Sequence, residues 1–201
     1  DTTLTLMVVP SITRIHEIQG ASHISPKNNQ SVSNVPGIVT SMRSKGFFMQ
    51  DPNSDQNVAT SEGIYVSTAT TPTVSIGDWV AVGGTVLEVR PDTFQCRSGD
   101  NLTITEIVTP THIITVTSSN SLPAPIVIGN GGRLPPNQVI EPSTATGNVE
   151  TSGVFDPINH GIDFYESLEG MLVQINSAVT VGPNSSSKFV VLGDNGANAT
   201  T

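Results

Sequence analysis

The chain has 201 residues, of which 36% are hydrophobic and 12% are charged, and its formal net charge is −9. This length and apolar content allow one large domain, or one domain and part of another, and they exclude a chain that is disordered throughout. No apolar run approaches the roughly 18 residues of a membrane-spanning helix, and the acidic average argues against strong autonomous binding of nucleic acid through phosphates.

Glycine and proline are abundant, at 18 and 14 residues, and aromatic residues make up only 4%. With much Thr, Ser and Asn, this composition predicts many short strands joined by turns rather than helices. The scarcity of Lys beside these polar residues favours a secreted or cell-surface protein. Asp1 suggests the start of an excised or mature fragment. A single cysteine, Cys96, permits no internal disulfide and does not settle the compartment.

Residues 1–34 are predicted to form an N-terminal arm. Residues 1–12 alternate loosely between apolar and polar and suggest an edge strand or a pairing arm. In Arg14–Gly20, two isoleucines stand three residues apart and a glycine follows, which predicts one helical turn. The remainder, 21–34, is a polar loop.

The next segment, 35–66, contains a predicted β-hairpin and a third strand. The strands are residues 35–42, 47–50 and 61–66, with Arg43-Ser-Lys-Gly46 as the hairpin turn. Residues 79–90 form a fourth strand, in which Gly83-Gly84 predicts a bulge or sharp bend. Residues 102–108 and 112–117 are two further strands or one broken strand. Five strands with a bent fourth predict an all-β, OB-type Greek-key barrel over residues 35–117.

The remaining sequence divides into a connector, 118–163, and a final segment, 164–201. We interpret the Pro- and Gly-rich connector as an ordered, wrapping segment with one short strand at 126–128; the alternative is a flexible linker. The final segment repeats the pattern of a glycine before an apolar strand, and residues 188–193 would supply its second strand. It predicts the first strands of a second OB-like unit, cut off before closure. A helical turn over 165–169 would be capped by Asp163.

Several motifs together resemble the N-terminal region of bacterial secreted nucleases of the endonuclease/exonuclease/phosphatase superfamily. They are IHEIQGASH (15–23), VPGIVT (35–40), GFFMQDP (46–52), ATSEGIYV (59–66), SIGDWVAVGGTV (75–86), FDPINHGIDFYESLEGMLV (155–173) and GDNGAN (193–198). The resemblance implies an OB-fold region that precedes a metal-dependent nuclease domain.

The catalytic motifs of that superfamily do not occur in this chain. Its catalytic domain uses Glu, Asp and Asn around Mg²⁺ and a late Ser-Asp-His, and no such triplet is present. The resemblance therefore implies a non-catalytic chain without a cofactor of its own. Mg²⁺ or another divalent metal is expected only in a downstream nuclease domain, which would be the chief partner.

Strands 2 and 3 of an OB barrel, with the loops after strand 1 and between strands 4 and 5, form its usual oligonucleotide site. Basic and aromatic residues fall at these places, and an exposed aromatic ring beside a cation can stack a single-stranded base. Because Phe47 and Phe48 are consecutive, strand alternation exposes only one of them. The predicted nucleic-acid contacts are Arg43, Lys45, Phe47, Phe48, Tyr65, Arg90, Phe94 and Arg97.

Other chemistry-bearing residues favour structural roles. The four histidines, His16, His23, His112 and His160, lack metal-site spacing, so no metal ligand is predicted. The acidic residues Asp156, Asp163, Glu166 and Glu169 could hold Ca²⁺, but they match no EF-hand and favour capping and solvated charge. Cys96 beside Arg97 lacks the partners of a catalytic thiol.

The sequence is compatible with two functions. The first is an accessory OB-fold region of a secreted nuclease that helps to bind single-stranded DNA or RNA or to position the catalytic domain. The alternative is a structural module that docks domains or a surface without touching nucleic acid. The net charge favours the alternative, whereas the basic and aromatic placement favours the first.

Overall fold

Strands rather than helices make up most of the regular structure of the described residues, as the composition predicts. The computed structural model describes residues 11–91, 101–141, 147–182 and 190–197. In chain order the elements are α1 (Ile15–Gln19), β1 (Ser31–Arg43), β2 (Gly46–Gln50), β3 (Gly63–Ser67), β4 (Trp79–Val89), β5 (Ile104–Thr117), β6 (Ile126–Ile128), α2 (Val149–Ser152), α3 (Gly161–Glu166), β7 (Val173–Ile175), β8 (Val179–Thr180), β9 (Val191–Leu192) and a 3₁₀ turn (Asp194–Gly196).

Five strands close into a barrel with the order β1-β2-β3-β5-β4. The pairs are antiparallel except for β3 and β5, which are parallel. The long β1 closes the barrel because its first half pairs with β4 and its second half with β2. The all-β class and the five-stranded sheet predicted from the sequence are confirmed.

The predicted bend in β4 is present, and β5 bends opposite it. The β4–β5 register shifts between Gly83 and Thr85. A Cβ on Gly84 would meet the carbonyl oxygen of Val108 at 2.8 Å, so only glycine permits this approach. Pro110 lies in this bulge, where a residue without an N–H breaks no hydrogen bond of the sheet. The segments 102–108 and 112–117 therefore belong to one strand.

Alternating side chains fill the barrel, and α1 closes one of its ends. The fully buried interior positions include Val35, Val39, Phe47, Met49, Ile64, Val66, Val80, Val82, Val86 and Ile107. Both isoleucines of α1, Ile15 and Ile18, are also 0% exposed and join this core. The helix ends at Gly20, whose φ of 67° lies in the left-handed region that glycine favours. This confirms the helical turn predicted from the isoleucine spacing.

The chain after the barrel folds into short pieces. The strand predicted at Ile126–Ile128 is present as β6 and pairs in parallel with β7. Contrary to the predicted repeat of a hairpin, β9 pairs with β8 rather than with β7. The prediction for α3 was also wrong in detail, because the helix begins at Gly161 and its cap is His160, whereas Asp163 lies inside the first turn.

The turn after α3 packs against the barrel end that α1 closes. A Cβ on Gly63 would lie 2.3 Å from the carbonyl carbon of Gly170, so the two backbones are in direct contact. The N–H of Leu172 donates to Gln50 Oε1 at 2.8 Å, and Ser61 Oγ donates to the carbonyl oxygen of Glu169 at 2.6 Å. The final segment is therefore anchored to β2 and β3.

Some predictions concern positions outside the described residues. They are the arm before residue 11, Phe94, Cys96 and Arg97, and residues 188 and 189 of segment 188–193. Within the ranges that the structure covers, no helix is both long enough and apolar enough to cross a membrane.

Candidate nucleic-acid interface

The tight turn between β1 and β2 positions the candidate interface. Arg43, Ser44 and Lys45 are exposed, and Gly46 follows them in the first position of β2. A Cβ on Gly46 would lie 2.2 Å from the hydroxyl oxygen of Tyr65, so glycine is required for the phenol to lie over the turn. The Tyr65 hydroxyl donates to the carbonyl oxygen of Lys45 at 3.1 Å. The turn and β3 are thereby held together.

An aromatic pair lies on the outer face of β2 and β3. Phe48 and Tyr65 are register partners, and their ring centroids are 4.9 Å apart with a tilt of 51°. The guanidinium carbon of Arg43 lies 5.8 Å from the Phe48 ring centroid, within the range of a cation–π contact. Both rings are partly exposed, whereas the neighbouring Phe47 is fully buried. Strand alternation thus separates the core ring from the surface ring, as predicted.

The charge around this pair is mixed. Burial raises the pKa of Tyr65, the nearby Glu106 raises it further, and Arg43 opposes both. Glu106 pairs with Tyr65 across the β3–β5 ladder, and burial raises the pKa of its carboxyl group. Two cations and one carboxyl group therefore border the rings, so the surface carries a modest positive excess at the turn.

The structure brings together four of the predicted contact residues: Arg43, Lys45, Phe48 and Tyr65. The turn, its two flanking strands and the Tyr65 hydroxyl make them neighbours. We call these four residues the aromatic–basic surface. Phe47 is excluded from ligand contact because it lies inside the barrel.

Arg90 does not join the aromatic–basic surface. Because β1 and β4 are antiparallel, Arg90 after β4 and Arg43 after β1 lie at opposite ends of the barrel. Arg90 instead contacts the Glu150 carboxylate and the carbonyl oxygen of Asn101. Burial acts to raise the pKa of Glu150, but hydrogen bonds from Thr103, Asn148 and Arg90 lower it overall. This cation is therefore part of a structural ion pair.

A buried group of ionisable side chains joins α3 to the loop between α1 and β1, and the sequence prediction missed it. His23 Nε2 and Asp163 Oδ1 are 2.7 Å apart, and both residues are at most 6% exposed. Asp163 Oδ2 accepts from the N–H of Asp156 at 2.7 Å and lies 3.0 Å from His160 Nδ1. Burial acts to lower the pKa of His23, but Glu166 and Asp163 raise it above its ordinary value. The sequence gives no sign that these residues meet, because they are far apart in the chain.

Glu169 lies in the same region and has the largest displacement of a pKa among these carboxyl groups. Its Oε1 accepts from the N–H of Thr105 at 2.9 Å and from Gln19 Nε2 at 3.3 Å. Burial, with the nearby charge of Glu166, raises the pKa of Glu169 to about 8. Burial likewise raises the pKa of Glu166, although His23 opposes the rise. At neutral pH the folded protein therefore holds Glu169 mainly in its protonated form.

The Glu169→Gln variant should lose part of the pH dependence of stability. Glu169 has a folded pKa of about 8 against an ordinary 4.5, so between these values the folded state retains a proton that the unfolded state has released. The free energy of unfolding then falls with rising pH, by at most about 1.4 kcal/mol per unit. Glutamine resembles the protonated acid, so the variant should show a flatter profile and gain up to about 4 kcal/mol at pH 8.

Urea unfolding at pH 5, 6.5 and 8 measures this effect. Glu17→Gln is the matched control, because Glu17 is exposed and its carboxylate oxygen accepts from the N–H of Arg14, a role that an amide oxygen can retain. The control should follow the parent protein at all three pH values. Parallel profiles for the parent and Glu169→Gln would contradict the expectation.

Two groups of side chains within the described ranges could hold a metal ion: His16, Asp55 and Glu62, and Glu141, His160 and Asp163. In the second group, hydrogen bonds to His23, His160 and Asp156 already occupy both oxygens of Asp163. That group is therefore best described as a structural hydrogen-bond network. The first group joins His16 of α1 to Asp55 and Glu62 of the β2–β3 loop.

Residues 127–201 match the model of a domain of unknown function, DUF8508. The match covers the part of the chain that follows the barrel and includes none of β1–β5. No curated protein and no solved structure matches the chain. The aromatic–basic surface thus lies outside the matched region, whereas α3 lies inside it together with Asp163, Glu166 and Glu169 but without His23, which pairs with Asp163 and Glu166.

Proposed function

We propose that this chain is a non-catalytic accessory region whose OB-type barrel binds single-stranded nucleic acid. The strand order β1-β2-β3-β5-β4, with β3 parallel to β5, is the arrangement expected of an OB-type Greek-key barrel. Such barrels bind oligonucleotides over strands 2 and 3. The resemblance of the sequence to secreted nucleases supports an extracellular setting, with catalysis by a separate metal-dependent domain.

The observation that carries this proposal is the aromatic–basic surface. Phe48 and Tyr65 present two partly exposed rings on the outer face of β2 and β3, and Arg43 lies over one of them. Stacking of a base on an aromatic side chain contributes about 1–3 kcal/mol and tolerates any base. Arg43 and Lys45 supply cations for the adjacent phosphates. This combination suits single strands, whose bases are free to stack.

The charge of the chain limits the affinity of this surface. The net charge is −9, and Glu106 lies next to Tyr65. Two cations neutralise few phosphates, so binding should be weak and should fall quickly with salt. A partner domain that holds the same strand would raise the effective concentration of the ligand at this surface. The role therefore fits an accessory region better than an autonomous DNA-binding domain.

A fluorescence titration with a labelled single-stranded oligonucleotide at two salt concentrations tests the proposal. The Phe48→Ala variant should weaken binding by about 1–3 kcal/mol, because one stacking ring is lost. The Arg43→Ala/Lys45→Ala variant should weaken binding and reduce the slope of log K against log salt by about 1.4, since two phosphate contacts disappear. Equal affinity of the parent and both variants at low salt would refute the proposal.

Lys27→Ala is the matched control for the single variant Lys45→Ala. Lys27 lies before β1, at the barrel end opposite the β1–β2 turn, and is partly exposed. Both substitutions remove one lysine charge, so a purely global charge effect would change binding equally. A larger loss from Lys45→Ala locates the contact at the turn.

A second candidate function, a structural docking module, is favoured by a cleft in the chain after the barrel. The cleft has a volume of about 640 Å³ and is bordered by the exposed side chains Leu134, Ile140 and Tyr165, which are 59–66% accessible. Contiguous exposed apolar surface of this kind is typical of interaction sites. This function predicts no binding of the oligonucleotide at either salt concentration, so the same titration separates the two candidates.

A further inference from the structure

The loop between β2 and β3 has the residue spacing of a calcium-binding loop. Residues 51–62 read DPNSDQNVATSE, with Asp or Asn at the first, third, fifth and seventh positions and Glu at the twelfth. In EF-hand loops the same positions supply the oxygen ligands, and the glutamate at the twelfth position binds through both oxygens. The loop departs from that pattern at its sixth position, where Gln56 replaces glycine.

The backbone of Gln56 nevertheless adopts the conformation that the sixth position requires. Its φ is 64°, in the left-handed region that is uncommon for a residue with a side chain. On either side, the N–H groups of Asn53 and Asn57 donate to the carboxylates of Asp51 and Asp55 at 3.0 and 2.8 Å. The loop therefore turns sharply at Asp51 and again at Asp55, with the residues between them exposed.

Two carboxylates of this loop are almost completely buried. Asp51 is 2% exposed and Glu62 is 3% exposed. Asp51 Oδ1 accepts from Arg14 at 2.5 Å, whereas its Oδ2 is buried and has no hydrogen-bond partner within the described part of the chain. A buried carboxylate oxygen without a donor is costly unless a cation satisfies it.

A cluster of ligand atoms lies next to Asp51, whose N–H donates to the carbonyl oxygen of Glu62 at 2.9 Å. His16, Asp55 and Glu62 each place one ligand atom within 4.8 Å of the others. His16 Nδ1 is 3.1 Å from both carboxylate oxygens of Glu62. The imidazole thus occupies the position that a cation bound to both oxygens of Glu62 would take.

We propose that the Asp51–Glu62 loop binds one Ca²⁺ ion. Asp55 and both oxygens of Glu62 are the ligands already close together, and on binding the side chains of Asp51 and Asn53 turn to bring Asp51 Oδ2 and the Asn53 amide oxygen to the ion. These are hard oxygen ligands, which Ca²⁺ prefers, and the sequence supplies them in the required order. Ca²⁺ displaces His16 from Glu62 and satisfies the free oxygen of Asp51. The ion then joins the end of β2 to the start of β3 at the barrel end closed by α1.

Isothermal titration calorimetry of the metal-free chain with CaCl₂, in the absence of nucleic acid, tests this site. We expect one ion per chain and a Kd of about 10⁻⁴ M, as for weaker extracellular sites. At 100 times that concentration, Ca²⁺ should raise Tm by about 5 °C. Asp55→Ala, in the exposed part of the loop, and Glu62→Gln should each reduce the affinity at least tenfold and abolish the rise in Tm.

Asp156→Ala is the matched control. Asp156 also accepts two backbone N–H groups in a surface turn, but it lies outside the loop, so this variant should bind Ca²⁺ like the parent. Absence of a Ca²⁺ signal in the parent would overturn the proposal, as would binding that survives both loop substitutions or that Asp156→Ala abolishes. Tighter binding of Zn²⁺ or Mn²⁺ than of Ca²⁺, lost in His16→Gln, would overturn the assignment of the ion. Because the titration contains no oligonucleotide, its result does not depend on the proposed binding of nucleic acid.

Discussion

Replacement of Gly63 with alanine should destabilise the chain by at least about 3 kcal/mol, which corresponds to a decrease in Tm of the order of 10 °C. The added Cβ would lie 2.3 Å from the carbonyl carbon of Gly170 and 2.4 Å from the N–H nitrogen of Met171. Both obstacles are backbone atoms, so no side-chain rotation relieves the clash. Either β3 or the turn after α3 must move.

Movement at this position would break several long-range contacts together. The carbonyl oxygen of Gly63 accepts from Gln19 Nε2 at 2.7 Å, and the neighbouring Ser61 Oγ donates to the carbonyl oxygen of Glu169. Separation of the two backbones would expose polar atoms that are now hydrogen-bonded to each other, including those of Glu169. The loss should therefore exceed that of an ordinary overpacked side chain, and residues 161–172 should become accessible to proteases.

Thermal and urea unfolding of Gly63→Ala, with limited proteolysis, measure this effect. Gly182→Ala is the control, because the nearest atoms to its added Cβ lie at 3.8 Å, an ordinary contact distance. The control should remain within about 0.5 kcal/mol of the parent. If Gly63→Ala also remains within that limit, β3 and the turn after α3 do not pack as described.

The second large effect is expected for Asp163→Asn, at about 3 kcal/mol. Asp163 is 1% exposed and holds His23, which is 6% exposed, at 2.7 Å. Its other oxygen accepts from the N–H of Asp156, with His160 Nδ1 also within 3.0 Å. An amide supplies only one acceptor atom and places an NH₂ group against a donor. It also removes one of the two carboxylates that face His23.

Asp156→Asn provides the matched control for this substitution. It makes the same chemical change in a neighbouring carboxylate whose oxygen atoms accept from Ile158, Asn159 and its side chain at the surface. We expect a loss below about 1 kcal/mol for the control in urea unfolding. Equal losses for the two variants would show that the buried pair of Asp163 and His23 contributes nothing beyond a surface turn.

The barrel was largely predictable because its signals are local. Alternation predicted that Phe47 and Phe48 lie on opposite faces, without saying which is buried, and Gly83-Gly84 marked the bend in β4. The three-residue spacing of Ile15 and Ile18 predicted α1, and the isolated apolar run predicted β6. Each of these features depends on neighbours within a few residues, where periodicity is informative.

The candidate site was predictable only in part. The turn and the ladder partners Phe48 and Tyr65 follow from a hairpin and one further strand. The position of Arg90 was not predicted. The sequence prediction placed the loops after β1 and after β4 beside each other, whereas the antiparallel pairing of β1 and β4 places them at opposite ends of the barrel. From the sequence, no site was assigned to the spacing of Asp51 to Glu62, and the burial of both carboxylates is a feature of the tertiary structure alone.

By itself, the sequence determined the all-β class, the five strands, the helical turn at α1 and the bend in β4. Only the tertiary structure decided that Gly63 meets Gly170, that His23 is held by Asp163, and that Glu169 is buried with a pKa of about 8. The physical reason is distance along the chain: 140 residues separate His23 from Asp163. Such contacts depend on how complete elements pack, and no local pattern of residues encodes them.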